Sequence, residues 1–177
     1  MHRTLHSREE AYSMLRRHFL LSNSAIGLAA WLGMSRFVAA SAAEEALQVT
    51  HTDIEWRKLL TPDQYAVLRQ SATERPFSSP LLNEHRPGLF ACAGCDLGLF
   101  SSETKFESGT GWPSFWAPLN EQAIGTTRDT TLGMIRVEVH CSRCGGHLGH
   151  VFNDGPKVTG LRYCMNGVAM SFKPATT

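Results

Sequence analysis

Three observations predict a mainly β fold with short helices at its N-terminal side. From Leu89 onward, short apolar runs alternate with Gly, Pro, Asn and Asp, the punctuation of many brief strands. Two Cys-x-x-Cys pairs, Cys92/Cys95 and Cys141/Cys144, lie far apart within that region. Two Thr-x-x-Glu/Gln boxes, Thr52–Glu55 and Thr61–Gln64, stand ahead of it and mark helix starts.

In chain order, residues 1–42 read as an export signal. A polar, basic start leads to Arg16-Arg17-His18-Phe19-Leu20-Leu21, an apolar stretch runs from Phe19 to Met34, and Val38-Ala39-Ala40-Ser41-Ala42-Ala43 suits cleavage after Ala42. The adjacent arginines are similar to a twin-arginine signal, although Leu15 and Leu21 replace the usual Ser/Thr and Lys; a Sec signal is the runner-up. A membrane anchor fits less well, because the apolar run is short of the ~20 residues a spanning helix needs. The expected destination is the periplasm. Residues 1–42 hold five basic and two acidic residues, which leaves 12 basic and 14 acidic residues in 43–177, a net charge of −2. Such a chain has no steering toward nucleic acid, and its length suits one core.

Helices are predicted near 53–60 and 62–71, the second with Pro62 at its first position and Tyr65, Leu68 and Ala72 on one face. Thr73 to Gly88 reads as an extended segment that wraps the main body. Strands are predicted at Gly88–Cys92, Leu97–Ser101, Ser114–Ala117, Ala123–Arg128, Met134–His140, His147–Phe152, Leu161–Met165 and Val168–Lys173. In Met134–His140, polar and apolar residues alternate with the period of a half-buried strand.

The cysteines point to chemistry. Two residues between thiolates let one turn aim both sulfurs at a single ion, and two such turns make a tetrahedral four-thiolate zinc site from Cys92, Cys95, Cys141 and Cys144. Gly94, Gly145 and Gly146 supply turn freedom. Two other readings compete: a redox dithiol, which expects a βαβ setting, and disulfides, which an oxidising compartment permits. A closed four-ligand site leaves no position for substrate, so zinc would be structural.

Cys164 is left over. On a strand, Arg162, Cys164 and Asn166 share a face, and a guanidinium beside a thiol favours the reactive thiolate; the bland alternative is an inert buried thiol. His147 and His150 are candidates for acid–base work, or ordinary half-buried histidines. Ser108-Gly109-Thr110-Gly111-Trp112-Pro113-Ser114-Phe115-Trp116 is either a turn into a core strand or an aromatic wall for a small apolar group.

These residues carry a resemblance. From about Trp56 to Phe172 the chain resembles the methionine sulfoxide reductase B family, the methionine-R-sulfoxide reductases. The markers are Thr73-Glu74-Arg75-Pro76-Phe77, Ser108-Gly109-x-Gly111-Trp112-Pro113-Ser114-Phe115, both cysteine pairs, His147-Leu148-Gly149-His150-Val151-Phe152-x-Asp154-Gly155-Pro156, and Arg162-Tyr163-Cys164-x-Asn166. The resemblance implies two antiparallel sheets, a structural zinc, and Cys164 as a nucleophile that attacks the sulfoxide sulfur and becomes a sulfenic acid. It further implies His150 as the acid, His147 and Asn166 arranging water and oxygen, Trp112 and Phe152 as substrate-binding residues, and Arg162, braced by Asp154, favouring the thiolate. The expected substrates are oxidised proteins or peptides, with free methionine sulfoxide as a further candidate, and the role is repair. Many relatives carry a second cysteine between the two glycines before the Trp; here that position is Thr110. The expectation is a one-cysteine enzyme, a monomer, reduced directly by an external thiol.

Overall fold

Both capping boxes form in the computed structural model, which describes residues 47–176; the export signal expected over residues 1–42 lies outside them. Helix α1 (Asp53–Leu59) opens where the Thr52 hydroxyl accepts from the Glu55 N–H and the Glu55 carboxylate accepts from the Thr52 N–H. Helix α2 (Pro62–Gln70) repeats the device with Thr61 and Gln64. It ends one residue before the expected 71, because Ser71 turns left-handed at φ 53°. Ala72 therefore lies beyond the helix rather than on its face, while Tyr65, Val67 and Leu68 are buried. Among the described residues no helix is long and apolar enough to cross a membrane.

The strands are β1 (Gly88–Cys92), β2 (Gly98–Ser101), β3 (Lys105–Phe106), β4 (Ser114–Phe115), β5 (Ile124–Asp129), β6 (Arg136–Cys141), β7 (His147–Phe152), β8 (Arg162–Met165) and β9 (Met170–Pro174). They form a three-stranded sheet, β2-β1-β9, and a six-stranded sheet, β3-β4-β8-β7-β6-β5, with every pair antiparallel. The fold class is thus as expected: mainly β, two antiparallel sheets, short helices ahead of them.

Three boundaries differ for identifiable reasons. The last strand begins at Met170, not Val168, because Gly167–Ala169 is a 3-10 turn whose Gly167 and Val168 N–H groups donate to the Glu74 carboxylate instead of a ladder. Strand β4 stops at Phe115: the Trp116 N–H still donates to Thr104, its partner in register, but the Trp116 carbonyl accepts from the Thr159 hydroxyl instead of extending the ladder. Strand β6 starts at Arg136, and its half-burial is reversed at that end. Val139 is fully buried but Val137 is 42% exposed and Ile135 73%, while Arg136 and Glu138 are partly covered. The strand outruns the core, and its polar face lies under other polar groups. The two-residue β3 is an addition to the predicted strands.

The core joins both sheets through aromatic rings. Phe115 of β4 stacks on Phe100 of β2 at 4.4 Å and meets Phe90 of β1 edge-on at 4.9 Å. Val139, Met165 and Phe115 point into this core. By the two-residue period of a strand, their neighbours Glu138, Cys164 and Ser114 emerge on the opposite face of the six-stranded sheet.

Candidate active site and metal centre

Cys92 ends β1 and Cys141 ends β6, and each begins a matching turn. The Asp96 N–H donates to the Cys92 carbonyl and the Gly145 N–H to the Cys141 carbonyl, both at 2.8 Å. The fifth residue of each turn is left-handed, Asp96 at φ 65° and Gly145 at φ 68°. Gly94, expected to supply this freedom, is not the residue that turns; Asp96 is, a residue type that tolerates the region. The four sulfurs lie within 4.8 Å of one another, with Cys92 Sγ 3.7 Å from Cys144 Sγ and Cys95 Sγ 3.5 Å from Cys141 Sγ. A tetrahedral ion with metal–sulfur bonds of about 2.3 Å separates its sulfurs by about 3.8 Å, so this donor set fits such an ion. Cys164 is not among the four.

Cys164 lies on β8 in a row of side chains that crosses four strands. Ser114 of β4 is its register partner on one side and His150 of β7 on the other, and Glu138 of β6 pairs with His150 in turn. The next row holds Phe152 opposite Arg162 and Asp129 of β5 opposite Arg136.

Arg162 is buried and donates twice to exposed Asp154, Nε to Oδ1 and a terminal nitrogen to Oδ2, both at 2.9 Å. Its guanidinium carbon sits 4.5 Å above the Phe152 ring. The Asp154 carboxylate raises the pKa of Arg162 above its ordinary value; burial opposes this, and the Cys164 sulfur adds to it. The guanidinium is thus a fixed positive charge next to Cys164.

The two histidines are each tied to a carboxylate. His150 Nε2 lies 2.8 Å from Asp129 Oδ2, and His147 Nδ1 lies 2.7 Å from Glu138 Oε1. The rings meet edge-to-face at 5.4 Å. Burial pushes the His150 pKa down, with Asp129 pulling the other way. Asp129 is held far below the usual carboxylate range, first by the Thr131 hydroxyl and N–H and then by His150. An ionised Asp129 accepts the proton on Nε2, which leaves Nδ1 of His150 to gain or release one.

The loop before β4 completes the site. Thr110 Oγ1 lies 3.8 Å from Cys164 Sγ, and the Pro113 carbonyl accepts from the Met165 N–H. Trp112 stands between these two contacts, half-buried, with its indole N–H donating to the Glu74 carbonyl.

A SelR domain matches residues 60–174. The chain is 54% identical over 127 residues to the peptide methionine sulfoxide reductase MsrB of Agrobacterium fabrum, covering 72% of this chain and 94% of that protein. It is 58% identical over 120 residues to that of Pseudomonas putida strain W619, covering 68% and 90%. It is 55% identical over 125 residues to that of Methanosarcina barkeri, covering 71% and 88%. The chain belongs to the methionine sulfoxide reductase B family.

Most of the residues singled out from sequence lie together in the fold, with one changed emphasis. Cys164, Arg162, Asp154, His150, His147 and Phe152 share one face of the sheet, and Trp112 belongs to the loop whose Thr110 and Pro113 touch β8. Asn166 is buried, its amide oxygen accepting from the Glu74 N–H and its amide nitrogen donating to the Leu148 carbonyl. Each end bonds one backbone group, so Asn166 braces the Glu74 segment against β7. Glu74, Asp129 and Glu138 were missed as site residues. Arg136, Glu138 and His140, at two-residue spacing on a predicted strand, are the signal for a half-buried polar face.

Proposed function

We propose that this chain reduces methionine-R-sulfoxide in oxidised peptides and proteins, with Cys164 as nucleophile and a sulfenic acid as intermediate. Methionine sulfoxide reduction itself follows from family membership. The finer reading rests on one observation: a single cysteine stands outside the metal cluster, beside a guanidinium, an imidazole strand and a hydroxyl.

The Cys164 thiolate attacks the sulfoxide sulfur. The net step moves the oxygen from the substrate sulfur to Cys164 and takes up one proton. The substrate sulfur is reduced to the thioether, and the cysteine is oxidised to a sulfenic acid. His150, through Nδ1, supplies the proton to the sulfoxide oxygen, and Asp129 steadies the imidazolium. Arg162 stabilises the thiolate, Asp154 holds Arg162, and Glu138 orients His147. Trp112 and Phe152 offer apolar faces to the substrate's methyl group. Two molecules of an external thiol then return Cys164 to the thiol, giving one disulfide and one water.

Cys92, Cys95, Cys141 and Cys144 would hold zinc. A closed set of four thiolates supplies structural rather than catalytic chemistry. Free methionine sulfoxide is a further substrate. Residues 1–42 direct the chain through a twin-arginine-type route to the periplasm, where it works as a monomer.

The test is incubation of both epimers of a blocked methionine sulfoxide with the chain and a thiol reductant. Loss of the R epimer alone, abolished in Cys164→Ser, is the expected result. Loss of the S epimer, or activity retained in Cys164→Ser, overturns the reading. Faster oxidation by hydrogen peroxide than by the sulfoxide would instead assign a peroxide-reducing thiol.

A further inference from the structure

A chain of hydroxyls ends on the Cys164 sulfur, and counting its hydrogens gives Thr110 a role. Ser114, 1% exposed, donates to the Trp112 carbonyl at 3.1 Å. Its one hydrogen is thereby used, so in the 2.7 Å contact between Ser108 and Ser114 the donor is Ser108. That uses the hydrogen of Ser108, so in the 2.8 Å contact between Thr110 and Ser108 the donor is Thr110. A Cys164 thiol can complete the series by donating to Thr110 Oγ1 across 3.8 Å. Every donor then points the same way, from sulfur to the Trp112 carbonyl.

The thiolate has no hydrogen to give. The single movable hydrogen within reach on this side belongs to Thr110, which must turn it from Ser108 to the sulfur. Ser108 Oγ keeps a donor in that event, because the Thr110 backbone N–H lies 3.4 Å away. The loop is built to hold this geometry: Thr110 is flanked by Gly109 at φ 72° and Gly111 at φ 93°, and a methyl group on Gly111 would press on Pro76 and Phe77. The other groups facing Cys164 are Arg162 on its own strand and His150 on β7, backed by Asp154, Asp129 and Glu138.

We propose that Thr110 is a catalytic residue whose hydroxyl turns from Ser108 to Cys164 when the sulfur ionises and donates a hydrogen bond to the thiolate. This deepens the reading of Cys164 as nucleophile and rests on it. The threonine at this position is then a working group, in addition to marking the absence of a second thiol.

The experiment uses the metal-loaded full chain and Thr110→Val, Thr110→Ala and Thr110→Ser. Alkylation of Cys164 by iodoacetamide at pH 7 is followed by mass spectrometry, and the first turnover with a blocked methionine-R-sulfoxide is followed in parallel. Loss of a hydrogen bond to a charged group predicts that the valine and alanine variants slow about tenfold in both, with KM unmoved. The serine variant, which keeps the hydroxyl, stays within about threefold of the unmodified chain. Alkylation as fast in the valine and alanine variants as in the unmodified chain overturns the proposal. So does a serine variant as slow as alanine, which would assign the effect to the threonine methyl group. Failure of the unmodified chain to reduce the sulfoxide would strike the nucleophile reading instead, and the alkylation rates would still judge Thr110.

Discussion

The same residue type has opposite fates at the two ends of this chain's chemistry. At the metal centre four cysteines face one another, three of them buried, at the mouths of two matching turns. Cys164 stands in a strand facing Arg162, Thr110 and His150, with a partly open surface. Sulfur that sees only sulfur is placed to hold a metal ion. Sulfur that sees a guanidinium and a hydroxyl is the nucleophile proposed above. The turn decides the first case and the sheet register decides the second.

The largest effect expected comes from breaking the metal centre. Cys141→Ser removes one of the four cysteines proposed to hold zinc, and for a structural zinc the binding energy is folding energy, on the order of 10 kcal/mol. The variant should lose stoichiometric metal by atomic emission, unfold at far lower denaturant, and lose activity with the fold. Cys164→Ser should do the reverse, lowering sulfoxide reduction by about three orders of magnitude or more while metal content and unfolding midpoint stay put. Equal behaviour of the two variants would erase the distinction between the regions.

Arg162 sharpens it next. Arg162→Met keeps the stem over Phe152 but removes the charge, and about a tenfold to hundredfold fall in the first-turnover rate is expected from losing a charge-assisted contact. Asp154→Asn should cost less, because Asp154 is exposed and acts through Arg162.

The acid–base pair gives a smaller, pH-dependent signal. Burial lowers the folded-state pKa of His150 below its ordinary value near 6.5. Its stabilising contribution is complete above that ordinary value and is lost as pH falls through the lowered one. Asp129, also lowered, contributes above the ordinary carboxylate range and loses its contribution only in stronger acid. Urea unfolding at pH 7 and pH 5 should therefore show a shallower loss for His150→Gln than for the unmodified chain. Activity carried by the His150 imidazolium should decline as pH rises through that lowered value.

The metal centre was the most legible part of the sequence because its information is local. Two residues between cysteines set the turn; the left-handed residue of the first turn is Asp96 rather than Gly94, which the local pattern does not announce. The capping boxes of α1 and α2 were legible for the same reason. The site around Cys164 was legible along its own strand, along β7 and the turn after it, and in the Ser108–Trp116 loop, where the residues of each stretch are close in sequence. Asp129, Glu138 and Glu74 reach it through pairings that span tens of residues, and no local pattern announces a register. Asn166 was legible as a site residue, yet its two backbone bonds, to Glu74 and Leu148, arise from segments far from it in sequence. Strand β6 misled in a related way: its alternation was real, but only the three-dimensional extent of the core shows that Val137 lies outside it and Glu138 beneath the histidines.

The most direct test of Cys164 as the lone electron-pair donor is one equivalent of methionine-R-sulfoxide given to the metal-loaded chain without reductant, followed by trapping with dimedone and peptide mass spectrometry. One methionine per chain and a single adduct, on Cys164, is the predicted result. A disulfide that includes Cys164, or an adduct on Cys92, Cys95, Cys141 or Cys144 while Cys164 stays a thiol, would contradict it.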